Sequence, residues 1–374
     1  MNGEVVLSST DVFVIGGGPA GLAAAIAARQ QGFRVIVADG ATPPIDKTCG
    51  EALMPDALAA FEGLGLAVPA IEASLLSGVR FLSSGLSAEA DFPRGRCGLS
   101  VRRIILHRVM TERAAGLGAD LLWRTTVTGI DGDGVRLGKR TIRTKWIVGA
   151  DGVNSRVRRW AGLGAHSHSG FRYAFRRHYR LRPWTDRMEI YWGKDSQAYT
   201  SPVNSEEVCV AVASRTPGLR LEKCLPQFPG LAQRLRGAEI TSTERGAVSA
   251  NRKLKRIWRG NIALIGDASG TVDAITGDGL GLAFGQALAL AASLKTGDLG
   301  KYESAHRQLA MRPLMMARLM LTLDGRPHLQ RRTLQAFRKR PEVFRRLLAL
   351  HVGELSPFHV AVDGLTLGWG LLTA

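Results

Sequence analysis

The first part of the chain has the hydrophobic pattern of a strand, a helix and a second strand. Residues 12–15 form an uninterrupted apolar run, which is typical of a strand buried on both faces of a parallel sheet. Residues 20–28 are rich in alanine and predict a helix, and residues 34–38 predict the second strand. Together these segments predict one βαβ unit.

The same pattern returns late in the chain. Residues 262–265 predict another buried strand, which is followed by a glycine-rich turn and a long apolar helix over 280–294. Between the two blocks, short runs over 78–91 and 171–213 predict antiparallel strands, and residues 103–117 predict a helix. The chain is therefore predicted to leave a nucleotide-binding domain, form a sheet elsewhere and return.

This order predicts an α/β protein with two interleaved domains. The first is a Rossmann-like nucleotide-binding domain, and the second is an α+β substrate domain built on an inserted antiparallel β-sheet. The nucleotide-binding domain is predicted to take residues 1–76, 98–165 and 259–300, the inserted sheet to take 77–97 and 166–258, and a helical region to take 301–374.

Composition excludes several classes of protein. With 45% hydrophobic and 22% charged residues, the chain has the balance of a folded protein with a large core, so whole-chain disorder is excluded. No apolar run is long enough to predict a membrane-spanning helix, and the first residues lack the pattern of a secretory signal. The four cysteines have neither metal-ligand nor disulfide spacing, so we expect a reduced, cytoplasmic protein without a bound metal.

The chain is strongly basic. Its 50 Lys and Arg outnumber 32 Asp and Glu, which gives a formal net charge of +18. Such a charge attracts anions, including phosphate-bearing cofactors, nucleic acid and anionic lipid. No nucleic-acid-binding motif accompanies the charge, so nucleic acid is not an expected partner.

A glycine-rich turn joins the first predicted strand to the first predicted helix. Gly16, Gly18 and Gly21 supply the G-x-G-x-x-G pattern, in which the glycines permit a tight turn, close approach of a pyrophosphate and close helix packing. Pro19 and Ala20 open the helix, whose N-terminus favours negative charge. Asp39 ends the second strand, eighteen positions after Gly21, where an acid accepts hydrogen bonds from ribose hydroxyls. This motif predicts a dinucleotide site but does not distinguish NAD from FAD.

Three later features resemble flavoproteins. Residues 149–158, which contain Asp151, resemble the Asp-Gly segment of hydroxylases of the p-hydroxybenzoate hydroxylase fold. Gly266-Asp267, continuing to Gly277-Asp278-Gly279, is similar to their Gly-Asp flavin segment, with most likeness to the geranylgeranyl-reductase branch. Cys49-Gly50 is similar to the Cys-Gly element of that branch. The resemblance implies a p-hydroxybenzoate hydroxylase-like fold that binds FAD.

The resemblance also implies which residues contact the cofactor. Arg103 matches the family's arginine at the start of a helix, although Arg102 is an equally basic neighbour. The helix from Leu280 would direct its positive N-terminus at the flavin ring. The cofactor-binding residues expected from pattern and resemblance together are Gly16, Gly18, Pro19, Ala20, Gly21, Asp39, Cys49, Gly50, Arg103, Asp151, Gly266, Asp267, Gly277, Asp278, Gly279 and Leu280.

The chain departs from the family at several positions. Ala274 stands where the hydroxylases carry a proline, and Ser269-Gly270 replaces the usual alanine and histidine. The aromatic substrate motif of geranylgeranyl reductases is represented only by residues 199–202, and no halogenase tryptophan motif is present. No second G-x-G-x-x-G follows a strand, so NAD(P)H is expected as a transient reductant without its own domain, with electrons from another protein as the alternative.

Few acid–base residues can be identified from the pattern, because a flavin itself carries the redox chemistry. Cys49 is the candidate catalytic residue, as a proton donor or redox thiol, with packing against the ring as the alternative. Glu51 and Lys47 flank it and are expected to be solvated loop charges. Asp273 and Asp278 are candidates for tuning the flavin.

The resemblance implies an FAD-dependent oxidoreductase. The predicted activity is NAD(P)H- and O2-dependent hydroxylation of a hydrophobic aromatic or phenolic small molecule. One alternative is a geranylgeranyl-reductase-like enzyme that reduces isoprenoid double bonds. The other is a non-catalytic flavin- or lipid-binding protein.

The C-terminal region is basic and amphipathic. Residues 301–346 contain twelve Lys or Arg and three acids, interleaved with Met and Leu at helical spacing. One interpretation is a helical cover over the substrate cavity with a solvated outer face. The other is peripheral contact with an anionic membrane, at the inner face of the bilayer. The pattern predicts no oligomeric state.

Overall fold

The computed structural model describes residues 9–132 and 134–355, without the side chains of residues 165–169. Strands form three sheets in this part of the chain. They are β1 (Ser9–Ile15), β2 (Val35–Ala38), β3 (Ala52–Leu53), β4 (Ala73–Leu76), β5 (Gly78–Ser83), β6 (Leu86–Asp91), β7 (Gly98–Val101), β8 (Asp120–Leu122), β9 (Gly129–Asp131), β10 (Gly134–Leu137), β11 (Arg140–Gly149), β12 (Ala165–Arg180), β13 (Arg187–Trp192), β14 (Ser196–Pro202), β15 (Glu207–Ser214), β16 (Glu239–Ile240), β17 (Arg245–Leu254), β18 (Trp258–Arg259) and β19 (Ile262–Leu264).

The helices cover the sheets and form the C-terminal region. They are α1 (Pro19–Gln30), α2 (Pro55–Gly63), α3 (Arg103–Gly116), α4 (Arg156–Trp160), α5 (Leu221–Cys224), α6 (Pro229–Arg234), α7 (Gly279–Thr296), α8 (Leu299–Leu323), α9 (Pro327–Lys339) and α10 (Pro341–His351). Across the described residues, every helix is too short or too polar to cross a bilayer. The apolar run over residues 365–372 lies outside the described residues.

The first sheet has the strand order β18-β19-β11-β1-β2-β8. Outside this order, β10 pairs with β11, and β9 pairs with β10. β19, β11, β1, β2 and β8 run parallel, which requires helical crossovers such as α1 between β1 and β2. Alternate residues of β1 enter two different cores: Val12 and Val14 pack with α1 and α7, and Phe13 and Ile15 pack on the opposite face. Burial on both faces explains the continuous apolar run at residues 12–15.

The second sheet has the order β16-β12-β15-β14-β13-β5-β6, and β17 also pairs with β12. All of its pairs are antiparallel except β13 with β5. One face packs on α8, α9 and α10, and the other face packs on α5 and α6. A small third sheet has the strand order β3-β7-β4. The predicted α/β class with an inserted, mainly antiparallel sheet is confirmed.

The inserted strands come from two separate parts of the chain. β5 and β6 fall within predicted residues 77–97, and β13–β17 fall within predicted residues 166–258. β12 begins at Ala165, one residue before the second predicted range, and α8 begins at Leu299. These strands belong to one sheet. The exact residue numbers at which the chain divides into domains stay a prediction.

Candidate functional site

The glycine turn after β1 is tightly packed on one side and open on the other. Gly16 has φ of +113°, and a Cβ there would lie 2.4 Å from the carbonyl oxygen of Ala150. A Cβ on Gly21 would lie 1.8 Å from the Gly16 carbonyl oxygen. A Cβ on Gly18 would meet no atom within 4 Å. The turn therefore leaves open space above Gly18, where α1 begins at Pro19 without a side-chain cap.

Asp39 is held against this turn at the end of β2. Its Oδ2 accepts the Gly17 N–H at 2.6 Å, and its Oδ1 accepts the Ala41 N–H at 2.7 Å. Two further residues, which sequence reasoning missed, support Gly17: the His107 Nε2 lies 2.9 Å from its carbonyl oxygen, and a Cβ on Gly17 would overlap the Trp123 ring. Burial lowers the pKa of His107, which keeps the imidazole neutral near pH 7. The residues around His107, which lies on α3, did not indicate that its side chain would be buried against the glycine turn.

Three turns meet at the carboxyl ends of adjacent parallel strands. Ile15 of β1 pairs with Gly149 of β11, and Gly149 pairs with Leu264 of β19. The turns after these strands contain Gly16, Asp151 and Gly266. The carboxyl ends of parallel strands are where ligands bind in open α/β sheets. The fold thus brings together segments that are more than 100 residues apart in the sequence.

Asp151 and Gly266 have structural contacts of their own. The Asp151 Oδ2 accepts the N–H of Arg156 at 2.6 Å and of Val157 at 3.1 Å, so the carboxylate caps α4. Its Oδ1 is buried and has no hydrogen-bond partner among the described residues. Gly266 has φ of +60°, and a Cβ there would lie 2.7 Å from the Ala20 Cβ. These contacts place Ala20 and Gly266 side by side.

Asp267 projects from the same turn toward the loop that precedes β3. Its Oδ2 lies 2.9 Å from the Lys47 Nζ, and both side chains are partly exposed. On the next residues of this loop, the Cys49 Sγ accepts the Glu51 N–H at 3.3 Å, and the Gly50 carbonyl accepts the Ser201 hydroxyl at 3.2 Å. A Cβ on Gly50 would meet no atom within 4 Å. The loop therefore bridges the first and second sheets.

Glu51 corrects an expectation from the sequence. It was predicted to be a solvated loop charge, but it is 2% exposed and has φ of +62°. Its Oε1 accepts the Arg103 N–H at 2.9 Å, its Oε2 lies 2.6 Å from the His178 Nε2, and the Arg176 Nε is 3.7 Å from Oε1. Buried hydrogen bonds to the Arg103 backbone N–H and to His178, together with the nearby Arg176 charge, offset the cost of burying this carboxylate. These partners lie over 50 residues away, so local sequence could not reveal them.

Cys209 completes this buried cluster. It lies opposite His178 in the β12–β15 pair, and burial raises the pKa of its thiol well above its usual range. Ligand atoms of Glu51, His178 and Cys209 lie within 4.8 Å of one another, a donor set that zinc accepts. The Arg176 guanidinium beside Glu51 opposes a second positive charge there. We interpret the cluster as hydrogen-bonded, and the expected absence of a metal stays a prediction.

Arg103 and Arg102 differ in their surroundings. Arg102 lies 3.5 Å from Glu207 of β15. The Nε of each arginine has no hydrogen-bond partner in the part of the chain that the structure describes, so this atom does not distinguish the two. The Arg103 side chain is the more buried one, whereas Arg102 is paired with Glu207. A buried guanidinium with unused hydrogen-bonding capacity fits an anionic ligand, which favours Arg103 as the cofactor contact.

The segment before α7 contains an open glycine turn and the partly buried Asp278. Gly277 has φ of +74°, and a Cβ on Gly277 or on Gly279 would meet no atom within 4 Å. Asp278 occupies the N-cap position without a side-chain bond to the helix, and Leu280 is half-buried in its first turn. The open backbone here resembles that at Gly18, and the two helix N-termini can both receive negative charge.

Asp273, a predicted tuning residue, serves to anchor this segment. Its Oδ1 accepts the Arg172 Nε–H at 2.8 Å and the Ile275 N–H at 3.0 Å. Arg172 also donates to Asp324 at 3.1 Å, in the turn between α8 and α9, and the Tyr199 hydroxyl donates to the Ile275 carbonyl at 3.0 Å. This network ties the segment to the second sheet and to the C-terminal helices.

An apolar cavity lies between the second sheet and the C-terminal helices. Its empty space is about 840 Å³, a figure that includes space open to solvent. Residues of the sheet, of the segment before α7 and of α8–α10 line it, and most of them are apolar. Four aromatic side chains contribute to the wall: Phe81, Trp192, Phe337 and Phe344.

The residues at the converging turns fit FAD. Gly18 and Gly277 leave space at two helix N-termini, and Asp39 presents a carboxylate in the position expected for a ribose. Arg103 has unused hydrogen-bonding capacity. Bound here, FAD would supply electron transfer in two-electron steps. The individual roles of the sixteen residues named from the sequence stay predictions.

Comparison with known proteins agrees with this geometry. The family described as FAD binding domain matches residues 9–303. The chain belongs to this family. It is 29% identical over 300 residues to a menaquinone reductase of Mycobacterium tuberculosis, covering 73% of each chain, and 26% identical over 296 residues to a digeranylgeranylglycerophospholipid reductase of Methanocaldococcus jannaschii, again covering 73% of each. A flavoprotein/dehydrogenase from Cytophaga hutchinsonii has a similar fold, with a TM-score of 0.80 and 20% identity over 92% of this chain and 93% of that one.

These comparisons confirm the predicted superfamily, its geranylgeranyl-reductase-related branch and the p-hydroxybenzoate hydroxylase-like fold. The chain is an FAD-dependent oxidoreductase.

Proposed function

We propose that this oxidoreductase reduces a carbon–carbon double bond in the isoprenoid chain of a lipid or quinone. The observation that carries the proposal is the apolar cavity, which adjoins the segment before α7 at Ile275 and Thr276. Long apolar chains bind by burial of their surface in such a cavity. Two relatives are named menaquinone reductase and digeranylgeranylglycerophospholipid reductase, which supports a quinone or a lipid as the substrate.

The cavity residues would bind and orient the chain and exclude water. Met54, Met188, Met316 and Met320 line the cavity, and methionine adapts to irregular apolar shapes. Reduced FAD would supply a hydride to one carbon of the double bond, and a proton must reach the other. Cys49 is a candidate donor of that proton, with packing against the ring as the alternative, and its loop joins the two sheets beside the converging turns.

Hydroxylation of a lipophilic phenol is the second candidate function. It is favoured by the aromatic part of the cavity wall, where the Phe337 and Phe344 rings stack at 4.6 Å and Phe81 lies 4.7 Å from Trp192. Aromatic walls pack well against aromatic ligands. This reaction would use O2 and NAD(P)H, and it needs an oxygen atom in the product.

One pair of reactions distinguishes the two functions. FAD-loaded protein reduced with dithionite is mixed anaerobically with menaquinone-4, and any quinol is reoxidised in air before mass spectrometry. Reduction of the side chain adds two mass units to the quinone. In parallel, the protein receives NADPH, O2 and a long-chain alkylphenol, and hydroxylation adds sixteen mass units. Absence of the first product overturns the proposal, and absence of both favours a non-catalytic protein.

A pair of substitutions on α8 tests whether the cavity is the site. Met316→Trp would fill part of the cavity and is expected to lower product formation at least tenfold. Met311→Trp adds the same side chain at a position that is 62% exposed, and it is expected to leave the rate nearly unchanged. Equal rates in the two variants would place the substrate elsewhere.

A further inference from the structure

One end of the apolar cavity contains a small polar group. His351, at the end of α10, and Thr276, before α7, both line the cavity. The His351 Nε2 lies 3.6 Å from the Asp278 Oδ1, and the two side chains are each 13% exposed. An ion pair between Arg312 and Asp56, with atoms 2.7 Å apart, lies beside them and supplies the other charged side chains that face Asp278. Residues from α2, α7, α8 and α10 thus meet at this end.

Several atoms of this group are buried without a hydrogen-bond partner. They are the Asp278 Oδ2, the His351 Nδ1 and the Thr276 Oγ1, judged over residues 9–132 and 134–355, although the Thr276 hydroxyl also lies near enough to the Asp278 carboxylate to oppose the rise in its pKa. Buried polar atoms in native folds normally have a hydrogen-bond partner, because burial removes the water that would otherwise bind them. Burial also raises the pKa of Asp278, because its carboxylate has lost most of its contact with solvent. A plain hydrocarbon chain could not satisfy these atoms.

We propose that Thr276, Asp278 and His351 form a polar subsite that binds one neutral oxygen of the ligand, a hydroxyl or a ring carbonyl. The rest of the ligand would lie in the apolar cavity. The inference rests on the proposed function, because it assumes that this cavity is the substrate site. It narrows the substrate to a phenol or quinone that carries an apolar chain.

The subsite can accept either kind of oxygen. The free carboxylate oxygen of Asp278 can accept a ligand hydroxyl, and the His351 Nδ1, when protonated, can donate to a carbonyl or hydroxyl oxygen. The Thr276 hydroxyl can do both. The surrounding apolar wall strengthens such bonds, since water does not compete there.

Three ligands of similar size test the subsite in the FAD-loaded protein by isothermal titration calorimetry. They are 4-butylphenol, 4-butylanisole and butylbenzene. We expect 4-butylphenol to bind at least tenfold tighter than butylbenzene, because the phenol oxygen can satisfy the buried polar atoms and butylbenzene has no oxygen. Tight binding of the anisole as well identifies an acceptor oxygen, as in a quinone, and tight binding of the phenol alone identifies a hydroxyl donor.

Two substitutions of one residue separate binding from folding. His351→Asn places an amide near the Nδ1 position and is expected to keep the preference for phenol. His351→Gln places its amide near the Nε2 position, facing Asp278, and is expected to reduce the preference to within threefold. Thr276→Val is expected to weaken phenol binding without weakening butylbenzene binding. Bound FAD and thermal unfolding are measured for each variant to establish that it folds.

A matched control uses the same change elsewhere in the cavity. The Thr333 hydroxyl, on α9, is another buried oxygen of the cavity wall without a hydrogen-bond partner among the described residues, so Thr333→Val tests a competing position for the ligand oxygen. The assigned subsite predicts that this change leaves the preference for phenol unchanged. If Thr333→Val abolishes the preference and the His351 and Thr276 variants keep it, the assigned subsite is wrong. Equal affinities for all three ligands in the unaltered protein also overturn it. Neither result depends on turnover, so a failure of the proposed reductase reaction is recognised separately.

Discussion

At the scale of single residues, the glycines of the first turn have two distinct functions. Gly21 is required by packing, because any side chain there would overlap the Gly16 carbonyl oxygen. Gly18 has open space around its missing side chain, so packing within the protein does not require it. Its φ of −70° is one that any residue can adopt. A requirement for glycine at position 18 would therefore come from the ligand.

Alanine substitutions test this difference. Gly21→Ala is expected to lower the free energy of unfolding by about 2–3 kcal/mol, because helix α1 must move from the sheet. Gly18→Ala is expected to change the stability of the FAD-free chain by less than about 1 kcal/mol but to weaken FAD binding at least tenfold, or about 1.4 kcal/mol. Urea unfolding and titration with FAD measure the two quantities. If Gly18→Ala binds FAD as tightly as the unaltered chain, the predicted contact with the pyrophosphate is wrong.

At the scale of elements, α8 supports the turn that contains Gly266. The sequence lacks the family's histidine directly after this turn, where Ser269-Gly270 stands instead. In the structure, the Ser269 hydroxyl donates to the Gly266 carbonyl at 2.8 Å and lies 2.9 Å from the His306 Nε2. A histidine therefore reaches the turn from α8. Because Ser269 donates its own proton to the carbonyl, His306 donates through Nε2–H as a neutral imidazole.

His306 makes stability depend on pH. Burial lowers its pKa from 6.5 to about 4, so the unfolded chain binds the proton more readily than the folded chain. This contribution to stability is complete above pH 6.5 and is lost as the pH falls toward 4. Between pH 7 and pH 5 the loss is about 2 kcal/mol.

Urea unfolding at the two pH values, at constant FAD concentration, measures this loss. His306→Gln removes the titrating group and is expected to lose about 2 kcal/mol less than the unaltered protein over the same interval. His328→Gln, at an exposed position, is the control and should keep the original pH dependence. Identical pH dependence in all three proteins would contradict the assignment to His306.

At the scale of the whole molecule, the positive charge is concentrated on the helices that cover the cavity. Exposed cations on α9 and α10 and between them include Arg331, Arg338, Lys339, Arg340 and Arg345. The opposite faces of the same helices line the cavity with Phe337, Phe344 and Leu348. These helices could therefore contact an anionic bilayer while they enclose a lipid, as one interpretation of the sequence predicts. Peripheral membrane contact stays a prediction.

Sedimentation with lipid vesicles tests this contact. The protein is expected to bind vesicles of phosphatidylcholine and phosphatidylglycerol but not of phosphatidylcholine alone, and high salt should release it. Changing Arg338, Lys339 and Arg340 together to Glu should weaken binding at least tenfold, since each basic residue near the surface contributes about 1 kcal/mol. The control changes three exposed cations outside the C-terminal helices by the same charge: Lys194→Glu, Lys223→Glu and Arg236→Glu. Equal weakening by both triples would indicate a response to net charge alone.

Local features of the fold could be predicted from the sequence because they depend on neighbouring residues. The strand at residues 12–15, the glycine turn and α1 form one continuous unit, and short-range sterics and periodicity determine such a unit. The position of Asp39 beside the glycine turn could be predicted in the same way, from the number of residues that separate it from the glycines. The order of the flavin segments predicted the family and the inserted sheet.

Tertiary structure alone decided the surroundings of the site. Glu51 was expected in solvent, yet it binds His178, which lies 127 residues away along the chain. The same holds for Asp273 with Arg172 and for the meeting of Asp278 with His351, because the partners belong to different elements. Hydrogen bonding and burial of such groups depend on distances in space, which a one-dimensional pattern of apolar and polar residues does not contain. Sequence by itself therefore predicted a dinucleotide site at the glycine turn, and packing of distant elements determined the shape and polarity of the apolar cavity.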